Sequence, residues 1–426
     1  MHSSIKTLLR PVVKPIKAAL RPVLYSRRPP LCDNVVQRCL DWNYPVKCIH
    51  EPFLVEFPVP RGSETDPKAA PLFYAHSKIG LPAQFLVCLP NGGVQGSAGF
   101  VTMPKGEFLI ETVHRPHQLL DSPVYRSRLP LKRRHLEGDW YNLISYFGEN
   151  YGHWFWEDLP RLFNALPHLP KSTRFLVSPF VRSFQKDSLF VLGIEPDRLV
   201  TQPFNVNTKC ERLWFATPLG DLDWVVTAPD VIRQMAKVLV EALKRPASRG
   251  PELIYISRRA LSLKNQSRIT NEDDFLQELV RLGFEIVTPE RLTLKEQVRI
   301  FQNAKVILGA FGAGLTNMLF CQPPSMILEL QDPFFAPREW YWKLASTLGH
   351  EWRCYVGQPV GERPLNWANW PATPFSVDRQ GLIEFVEDAL GDNGQRSSLQ
   401  WWNRNDPSVS IRSYCRNDSA KTQNRD

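Results

Sequence analysis

The C-terminal half of the chain alternates regularly between short apolar runs and amphipathic stretches, and this alternation restricts the fold more than any other feature. The helical stretches lie between predicted strands at 253–257, 284–287, 306–308, 326–330 and 352–356. Strands separated by helices form right-handed βαβ units, and such units pair into a parallel sheet. The sequence therefore predicts a Rossmann-like α/β domain over residues 252–390.

A stretch rich in proline, glycine and serine, residues 245–251, separates this half from the rest of the chain. Such a composition is typical of a linker. Before it, apolar patterns predict helices at 142–166, 183–192 and 228–244 and strands at 174–177 and 212–216. We therefore divide the remaining chain into a basic N-terminal arm (1–32), an N-terminal domain (33–244) and a polar C-terminal tail (391–426).

The N-terminal arm is strongly basic, and the sequence leaves two structures open for it. Residues 1–32 contain seven Lys and Arg residues and no acidic residue, in a chain of formal net charge +9. Apolar residues recur at helical spacing, which is typical of an amphipathic helix on anionic lipid. Pro11, Pro15 and Pro22 would instead interrupt that helix and leave a disordered arm. In both cases the charge predicts peripheral contact of residues 1–28 with an anionic membrane.

Several classes of protein are not indicated. No run of about 18 uncharged apolar residues predicts a transmembrane helix, and the arm lacks a clean hydrophobic signal core. The eight cysteines form no C-x-x-C pair and are typical of scattered thiols. Neither zinc-finger spacing nor an RNA-recognition signature indicates a nucleic-acid partner. We therefore expect a cytoplasmic protein, peripheral to the inner membrane at most, that binds phosphate-bearing ligands.

A glycine-rich loop, "GAFGAG" at 309–314, connects the predicted strand 306–308 to a helix-compatible run. Glycines let the backbone approach a ligand, and a helix start adds partial positive charge, so the loop is a candidate phosphate site. The glycine order is not that of the dinucleotide fingerprint G-x-G-x-x-G, and a tight turn without a ligand is the alternative. The candidate donors are the backbone and side-chain groups of Gly312, Ala313, Gly314, Thr316 and Asn317.

Three charged residues lie where they could complete a nucleotide site. Arg258 follows the predicted strand 253–257, and Arg268 lies in the loop after it. Guanidinium groups are always charged and bind phosphate oxygens in a bidentate manner, so both are candidates for a diphosphate. Ordinary surface charge is the alternative. Glu329 ends the strand after the glycine loop, where a carboxylate could bind a ribose hydroxyl.

The N-terminal half contains the string "NYGHWFWEDLPRL" at 150–162. On a helix, His153 and Glu157 lie on one face, and a carboxylate beside an imidazole can act as a general base. The alternative interpretation is structural. It assigns Asn150 as the helix cap and predicts an i, i+4 salt bridge between Glu157 and Arg161.

Together these stretches resemble glycosyltransferase family 61, which includes plant xylan glycosyltransferases, animal O-linked N-acetylglucosaminyltransferases and bacterial capsular polysaccharide biosynthesis proteins. The resemblance covers residues 141–332. Its first part resembles the family's N-x-x-H-W-x-x-[DE]-x-L-P-x-L. Its second part is "YISRR" with Arg268, Asn271 and Glu272, and its third runs from "GFEIVTPERL" to "GAGLTNMLF". The family usually has His before G-A-G-L-T-N, whereas this chain has Phe311.

The resemblance implies a GT-B-like α/β fold, with two Rossmann-like domains facing a cleft. It implies inverting transfer from a nucleotide-sugar to a glycan or lipid-linked glycan acceptor, in capsular or other surface polysaccharide biosynthesis. No cofactor and no metal are expected. The pair Asp221 and Asp223 in "GDLDW", a pattern that binds a divalent metal in some nucleotide-sugar enzymes, is interpreted as a loop.

The resemblance also implies roles for the candidate residues. Glu157, helped by His153, would take the proton from the acceptor hydroxyl, and Glu329 would bind the ribose. Two alternatives remain open. An inactive glycan-binding or scaffold protein of the same fold is favoured by Phe311, and an NAD-dependent oxidoreductase would need the other glycine order. The diphosphate would be bound by Arg258, Arg268 and the backbone of 312–317.

Overall fold

The protein is described by a computed structural model with an α/β fold. The described residues are 29–60, 63, 69–96, 98–112, 125, 131–221, 226–244, 250–259, 268–334, 336–362, 373–391 and 399–401. Several predicted features lie outside these residues, namely the membrane-contacting arm 1–28, most of the linker (245–249), Asp223 and most of the C-terminal tail.

The strands of the described residues are numbered in chain order. The first twelve are β1 (Leu31–Cys32), β2 (Val46–His50), β3 (Phe53–Glu56), β4 (Lys78–Leu81), β5 (Gln84–Pro90), β6 (Gly93–Gln95), β7 (Phe100–Thr102), β8 (Phe108–Leu109), β9 (Lys132–Asn142), β10 (Arg174–Val177), β11 (Leu199–Thr201) and β12 (Val206–Ala216). The others are β13 (Gly220–Asp221), β14 (Val226–Thr227), β15 (Leu253–Ile256), β16 (Glu285–Val287), β17 (Val306–Ala310), β18 (Met326–Gln331), β19 (Glu351–Val356), β20 (Gln358–Pro359), β21 (Phe375–Ser376) and β22 (Leu399–Trp401).

The helices are numbered in the same way. They are α1 (Val35–Asp41), α2 (Ala70–Ala75), α3 (Tyr151–His153), α4 (Leu159–Ala165), α5 (Ser183–Val191), α6 (Pro229–Leu243), α7 (Leu276–Arg281), α8 (Leu294–Phe301), α9 (Trp340–Leu348) and α10 (Arg379–Leu390). A π-helical turn, Trp154–Asp158, joins α3 to α4, and a 3-10 helix, Ala313–Phe320, follows β17.

The chain divides into two compact units. Unit 1 comprises residues 1–52 and 82–225, and unit 2 comprises residues 53–81 and 226–426. The division differs from the predicted domains because residues 53–81 and helix α6 belong to unit 2. The apolar face of α6 is buried, and its neighbours include the 3-10 helix, α8 and α9, all elements of unit 2.

Unit 1 is built on a mixed ten-stranded sheet. Its main path runs in the order β1-β8-β7-β6-β12-β9-β10-β11, and β5 pairs with β12 and β2. The strands β12, β9, β10 and β11 pair with one another in parallel, in this order, whereas β5 and β6 pair with β12 in antiparallel fashion. Trp140, Leu176 and Leu213 from three adjacent parallel strands pack in its core.

Unit 2 contains a fully parallel six-stranded sheet in the order β16-β15-β17-β18-β19-β22. The predicted parallel sheet of the C-terminal half is therefore confirmed, with small shifts at the strand ends. Strand β17 extends beyond its predicted end because Gly309 and Ala310 still pair with β18. Buried side chains such as Tyr255, Leu308 and Leu328 form the core of this sheet.

The helix ends of unit 2 follow local chemistry. The Thr293 hydroxyl accepts a hydrogen bond from the Glu296 N–H, and the Glu296 carboxylate accepts one from the Thr293 N–H, so a capping box starts α8. Helix α7 begins only at Leu276, after Asn271. The Asn271 side chain exchanges two hydrogen bonds with the Val377 backbone, and a 3-10 turn intervenes before α7 begins.

Residues 53–81 contribute a hairpin and a short helix to unit 2. Strands β3 and β4 pair antiparallel. Phe57 and Phe73 pack on the buried ring of Trp342, with centroids 5.7 and 4.8 Å away, and the Trp342 indole N–H donates to the Pro58 carbonyl at 2.9 Å. This early segment therefore covers one side of helix α9.

Candidate active site

The strand order of unit 2 reverses direction between β15 and β17. The chain proceeds from β15 outward to β16 and then returns to β17 on the other side of β15. In open parallel sheets, the crevice at the carboxyl ends of the strands at such a reversal is where ligands bind. Arg258 follows β15 at this edge, and the glycine loop follows β17 at the same edge.

Arg258 lies directly against the glycine loop. Its Nη1 donates to the Phe311 carbonyl at 3.4 Å. A Cβ atom added to Gly312 would lie 1.5 Å from that Nη1, so only glycine lets the guanidinium rest on the backbone here. The absence of a side chain at Gly312 therefore explains how Arg258 can lie against the glycine loop, as the predicted shared site requires. Burial lowers the pKa of Arg258, although the group remains charged at neutral pH.

Arg268 lies in the same β15–β16 connection as Arg258 and also reaches the glycine loop. Its side chain is buried, and its Cζ lies 5.0 Å from the centroid of the Phe311 ring. Burial, together with the charges of Arg338 and Arg258, lowers the pKa of Arg268 to about 9, and the charge of Asp332 opposes this shift. Two other cations are therefore close enough to repel this guanidinium.

Arg338 is a third member of the cluster that the sequence analysis did not identify as a site residue. Its Cζ lies 4.3 Å from the Phe311 centroid, and its guanidinium forms an ion pair with buried Asp332. The Gln331 side chain fixes the Arg338 backbone by hydrogen bonds of 2.7 and 3.0 Å. Its sequence signal was available, because Arg338 follows β18, the neighbour of β17, at the same edge of the sheet.

Phe311 is the centre of this cluster. Its ring is 4% exposed, and Trp340 and Tyr341 pack against it, each with a centroid distance of 5.4 Å. Arg268 and Arg338 approach the ring, while Arg258 bonds its carbonyl. The arrangement places three cations around one buried residue.

The structure separates the other predicted donors into two groups. Ala313 and Gly314 are half-buried at the start of the 3-10 helix, where their backbone lies close to Arg258 and Gly312. Thr316 and Asn317 are fully buried, and the Asn317 amide donates to the Gly314 carbonyl at 3.0 Å. This burial does not support a ligand-binding role for these two side chains.

Glu329 lies within β18 and has no exposed surface. Its Oε2 accepts a hydrogen bond from the Trp352 indole N–H at 2.8 Å. Burial raises the pKa of Glu329 to about 8, so the carboxyl is largely protonated at neutral pH. This placement does not support the predicted ribose contact, because the side chain points into the protein and already has a partner.

The second candidate site lies in unit 1, after β9. The predicted cap is confirmed, since the Asn150 side-chain oxygen accepts from the N–H groups of Gly152 and His153 at 2.8 and 3.4 Å. The predicted helix 142–166 is shorter than expected, because β9 continues to Asn142 and α3 begins at Tyr151.

The helix widens immediately after its first turn. Leu159 N–H donates to the Trp154 carbonyl, a bond that spans five residues and defines the π turn. Pro160 follows it, lacks an N–H and disfavours the regular helical bond at this point. The string "WFWEDLP" therefore places a local irregularity beside Glu157.

His153 and Glu157 form the predicted pair. The His153 Nδ1 lies 2.8 Å from the Glu157 Oε1, and both side chains keep some exposed surface. The Phe147 ring stacks on the imidazole at 4.7 Å. Burial opposes the charged imidazole, but the charge and hydrogen bond of Glu157, with the charge of Asp158, leave the pKa of His153 raised.

The predicted salt bridge between Glu157 and Arg161 is wrong. Arg161 Nη2 pairs with Asp158 Oδ1 at 2.9 Å, and the Ser145 hydroxyl donates to the other Asp158 oxygen at 2.5 Å. The reason is that the π turn at Trp154–Asp158 changes which side chains share a helix face, so that buried Asp158 lies beside Arg161. Burial raises the pKa of Asp158 to about 6, against the charge of Arg161. Glu157 is paired with His153 instead.

Within the described ranges, no three or more His, Cys, Asp and Glu side chains are grouped to hold a metal ion. None of the helices in the same ranges has the length and apolar character needed to cross a membrane.

Comparison with known proteins assigns the segment that contains most of both sites. Residues 151–328 match the family model described as Glycosyltransferase 61. This segment belongs to glycosyltransferase family 61. The predicted resemblance is therefore confirmed, and the family 61 segment contains His153, Glu157, Arg258, Arg268 and the glycine loop, whereas Arg338 lies beyond it.

Curated relatives match parts of the chain. EGF domain-specific O-linked N-acetylglucosamine transferase of Drosophila melanogaster is 28% identical over 157 residues, 34% of this chain and 28% of that protein. Xylan glycosyltransferase MUCI21 of Arabidopsis thaliana is 32% identical over 165 residues, 38% and 29% of the two chains. Beta-1,2-xylosyltransferase of Arabidopsis thaliana is 34% identical over 89 residues, 18% and 17%. The chain thus spans less than a third of each relative.

A solved structure is also similar to the chain. It is TibC, a bacterial iron-containing dodecameric glycosyltransferase from enterotoxigenic E. coli H10407, and the match covers 70% of this chain and 84% of that chain. The identity is 11% and the TM-score is 0.25.

Proposed function

We propose that this protein is an inverting glycosyltransferase that moves a sugar from a nucleotide-diphosphate sugar to a hydroxyl group of a glycan acceptor. The observation that carries the proposal is the convergence of Arg258, Arg268 and Arg338 at the strand reversal of unit 2. A cluster with two buried arginines, the half-buried Arg258 and one paired carboxylate, Asp332, favours an anionic ligand.

The arginine cluster has the properties that a leaving diphosphate requires. As the bond between the anomeric carbon and the diphosphate oxygen breaks, negative charge builds on that oxygen. Fixed cations in a buried site stabilise this charge without reorganising, so the cluster could act without a metal. The half-buried backbone of Ala313 and Gly314 would add N–H groups to the same site.

The pair in unit 1 supplies the other half of the chemistry. In the proposed step, Glu157 accepts the proton of the acceptor hydroxyl. At the same time the oxygen of that hydroxyl attacks the anomeric carbon from the face opposite the diphosphate. The carbon–diphosphate bond breaks, and the anomeric configuration inverts. His153 holds the carboxylate through its 2.8 Å hydrogen bond and stabilises the protonated pair.

The proposal includes a GT-B architecture and a cytoplasmic role in capsular or other surface polysaccharide biosynthesis. It also includes a lipid-linked glycan acceptor and peripheral membrane contact through residues 1–28. The basic charge of the arm supports that contact. Deleting residues 1–28 should release the protein from vesicles that contain anionic lipid. Equal binding of the shortened protein in a flotation assay would contradict the membrane role.

The donor site can be tested by thermal unfolding of the full chain with UDP, GDP, CMP and NAD, each with EDTA. A ligand at one hundred times its dissociation constant adds about 2.7 kcal/mol to the free energy of unfolding. We expect a rise in melting temperature with one nucleoside diphosphate. A rise with NAD alone would favour an oxidoreductase, and no rise with any nucleotide would favour the inactive glycan-binding alternative.

A matched pair of variants makes this test specific. Arg258→Ala should abolish most of the stabilisation by the nucleotide, because it removes a cation at the glycine loop. Arg259→Ala is the control, since the neighbouring Arg259 is exposed and pairs with Asp273. Equal stabilisation of both variants would remove Arg258 from the donor site.

A further inference from the structure

The departure from the family at residue 311 has a structural counterpart. Where the family usually has a histidine, this chain has a phenylalanine that contacts two arginines. We propose that Phe311 is a positioning residue whose aromatic face holds Arg268 and Arg338 together as one anion-binding group. This inference rests on the proposed donor site and adds Arg338 to it as a third binding residue.

The ring is placed to hold side chains and not to contact a ligand. It is 4% exposed, and it is packed between Trp340 and Tyr341 of helix α9. The guanidinium carbons of Arg268 and Arg338 lie 5.0 and 4.3 Å from its centroid. Both distances fall within the range of about 6 Å in which a cation is attracted to an aromatic face.

The second constraint on Arg338 comes from its own loop. The guanidinium pairs with Asp332, and the Gln331 amide bonds the Arg338 backbone on both its N–H and its carbonyl. Arg338 is therefore fixed by three contacts: Gln331 bonds its backbone, Asp332 pairs with its guanidinium, and the Phe311 ring lies against that guanidinium. A group fixed in this way loses little freedom when a ligand binds, which strengthens binding.

Charge explains why a holding surface is needed. Arg258, Arg268 and Arg338 are mutually repulsive, and their charges contribute to the lowered pKa of Arg268. Asp332 offsets one charge, and the pKa of Glu329 is raised by burial, so this carboxyl offsets little at neutral pH. The negative face of an aromatic ring attracts guanidinium groups without neutralising them. It therefore preserves positive charge for a diphosphate, whereas an added carboxylate would cancel it.

Fluorination of Phe311 tests this role with little change of shape. Replacing Phe311 by mono-, di- and trifluorophenylalanine withdraws electron density from the ring face in steps. Binding of pyrophosphate and of the nucleoside diphosphate selected by thermal unfolding would be measured by calorimetry on the full chain. We expect a graded loss of affinity that reaches about tenfold, the size of a partly desolvated cation–π contact.

The same substitutions at Phe275 provide the control. Phe275 is fully buried in unit 2 and packs edge-on against Tyr255 at 5.9 Å. Its fluorination should leave both affinities unchanged. Arg338→Lys, which keeps the charge but loses the planar group, should weaken binding and reduce the sensitivity to fluorine at Phe311.

The outcomes separate this inference from the proposed function. A flat fluorine series, with normal binding by the unmodified protein, would overturn the positioning role of Phe311 and leave the donor site intact. If the unmodified protein binds neither pyrophosphate nor any nucleoside diphosphate, the donor site itself fails, and this inference fails with it.

Discussion

The two candidate sites differ in the kind of chemistry that their side chains can perform. The site in unit 2 is rich in fixed positive charge, with three arginines that keep their protons at neutral pH. The site in unit 1 contains a hydrogen-bonded imidazole and carboxylate, which exchange protons readily. The arginine site can bind and stabilise an anion but cannot serve as a base. The His153–Glu157 site can serve as a base but has no comparable fixed positive charge.

Because of this difference, substitutions in the two sites should affect different measured quantities. A substitution in the arginine cluster should change the affinity for the donor, whereas one in the His153–Glu157 pair should change the rate of transfer. If either kind of substitution changed both quantities equally, the assignment of separate roles to the two sites would be wrong.

Glu157→Gln removes the proton acceptor while keeping the shape of the side chain. We expect the turnover number to fall by about 10²- to 10⁴-fold, the usual contribution of a general base. Affinity for the nucleoside diphosphate should stay within twofold, which is roughly the error of such measurements. Glu149→Gln is the control, because Glu149 is exposed, lies in the turn just before α3 and pairs with Arg182. A parallel loss of donor affinity would remove Glu157 from the role of base.

Gly312→Ala should weaken donor binding. The new Cβ would occupy the place of the Arg258 Nη1, only 1.5 Å away, and would displace the guanidinium. Loss of one charged hydrogen bond of about 1.5–3 kcal/mol predicts a 10- to 100-fold weaker affinity. Gly80→Ala is the control, since no atom lies within 4 Å of its added Cβ. Unchanged affinity in calorimetry would show that Arg258 does not bind the donor.

His153→Gln should move the pH dependence of transfer. The pKa of His153 is raised by Glu157, so the proton-accepting form of the pair is gained as pH rises through this raised value. The acidic limb of kcat/KM should therefore shift to lower pH in the variant. The free energy of unfolding should change in the opposite direction with pH. The charged His153–Glu157 pair stabilises the fold below the pKa of His153 in the unfolded chain, and this contribution is lost as pH rises through the raised pKa of the folded state. An unchanged limb would exclude the pair as its source.

Asn150→Ala should have the smallest effect. It removes the cap at the start of α3 and should lower the free energy of unfolding by about 1 kcal/mol. Asn34→Ala removes a similar cap from α1 and provides the comparison. Only the first variant should also slow transfer, because His153 N–H is one of the capped groups. Equal activity of the two variants in a transfer assay would show that the cap is purely structural.

Local patterns were sufficient for much of the fold. The strands of the parallel sheet, the helix near 183–192 and the cap at Asn150 followed from period, composition and residue type. These features depend on neighbours within one or two turns of the chain. They predict Arg258, Arg268 and the glycine loop at the edge of the sheet where the structure places them.

The features that sequence did not reveal depend on contacts between distant or irregular segments. Residues 53–81 have no clear period, so nothing indicated that they pack in unit 2. Arg338 lies between β18 and the helix that begins at Trp340, and its pairing with Asp332 is not indicated by any local pattern. The partner of Arg161 was missed because the π turn changes which acidic side chain lies beside it.

The packing of residues 53–81 has a consequence for how the chain is made. Trp342 receives its hydrogen-bond acceptor from Pro58, which lies 284 residues earlier. At roughly 5–20 residues per second, the ribosome needs about 15 to 60 s to bridge this distance. During that time Phe57 and Phe73 have been synthesised without the tryptophan on which they pack. The emerging chain thus presents aromatic side chains that a chaperone can bind before unit 2 is complete.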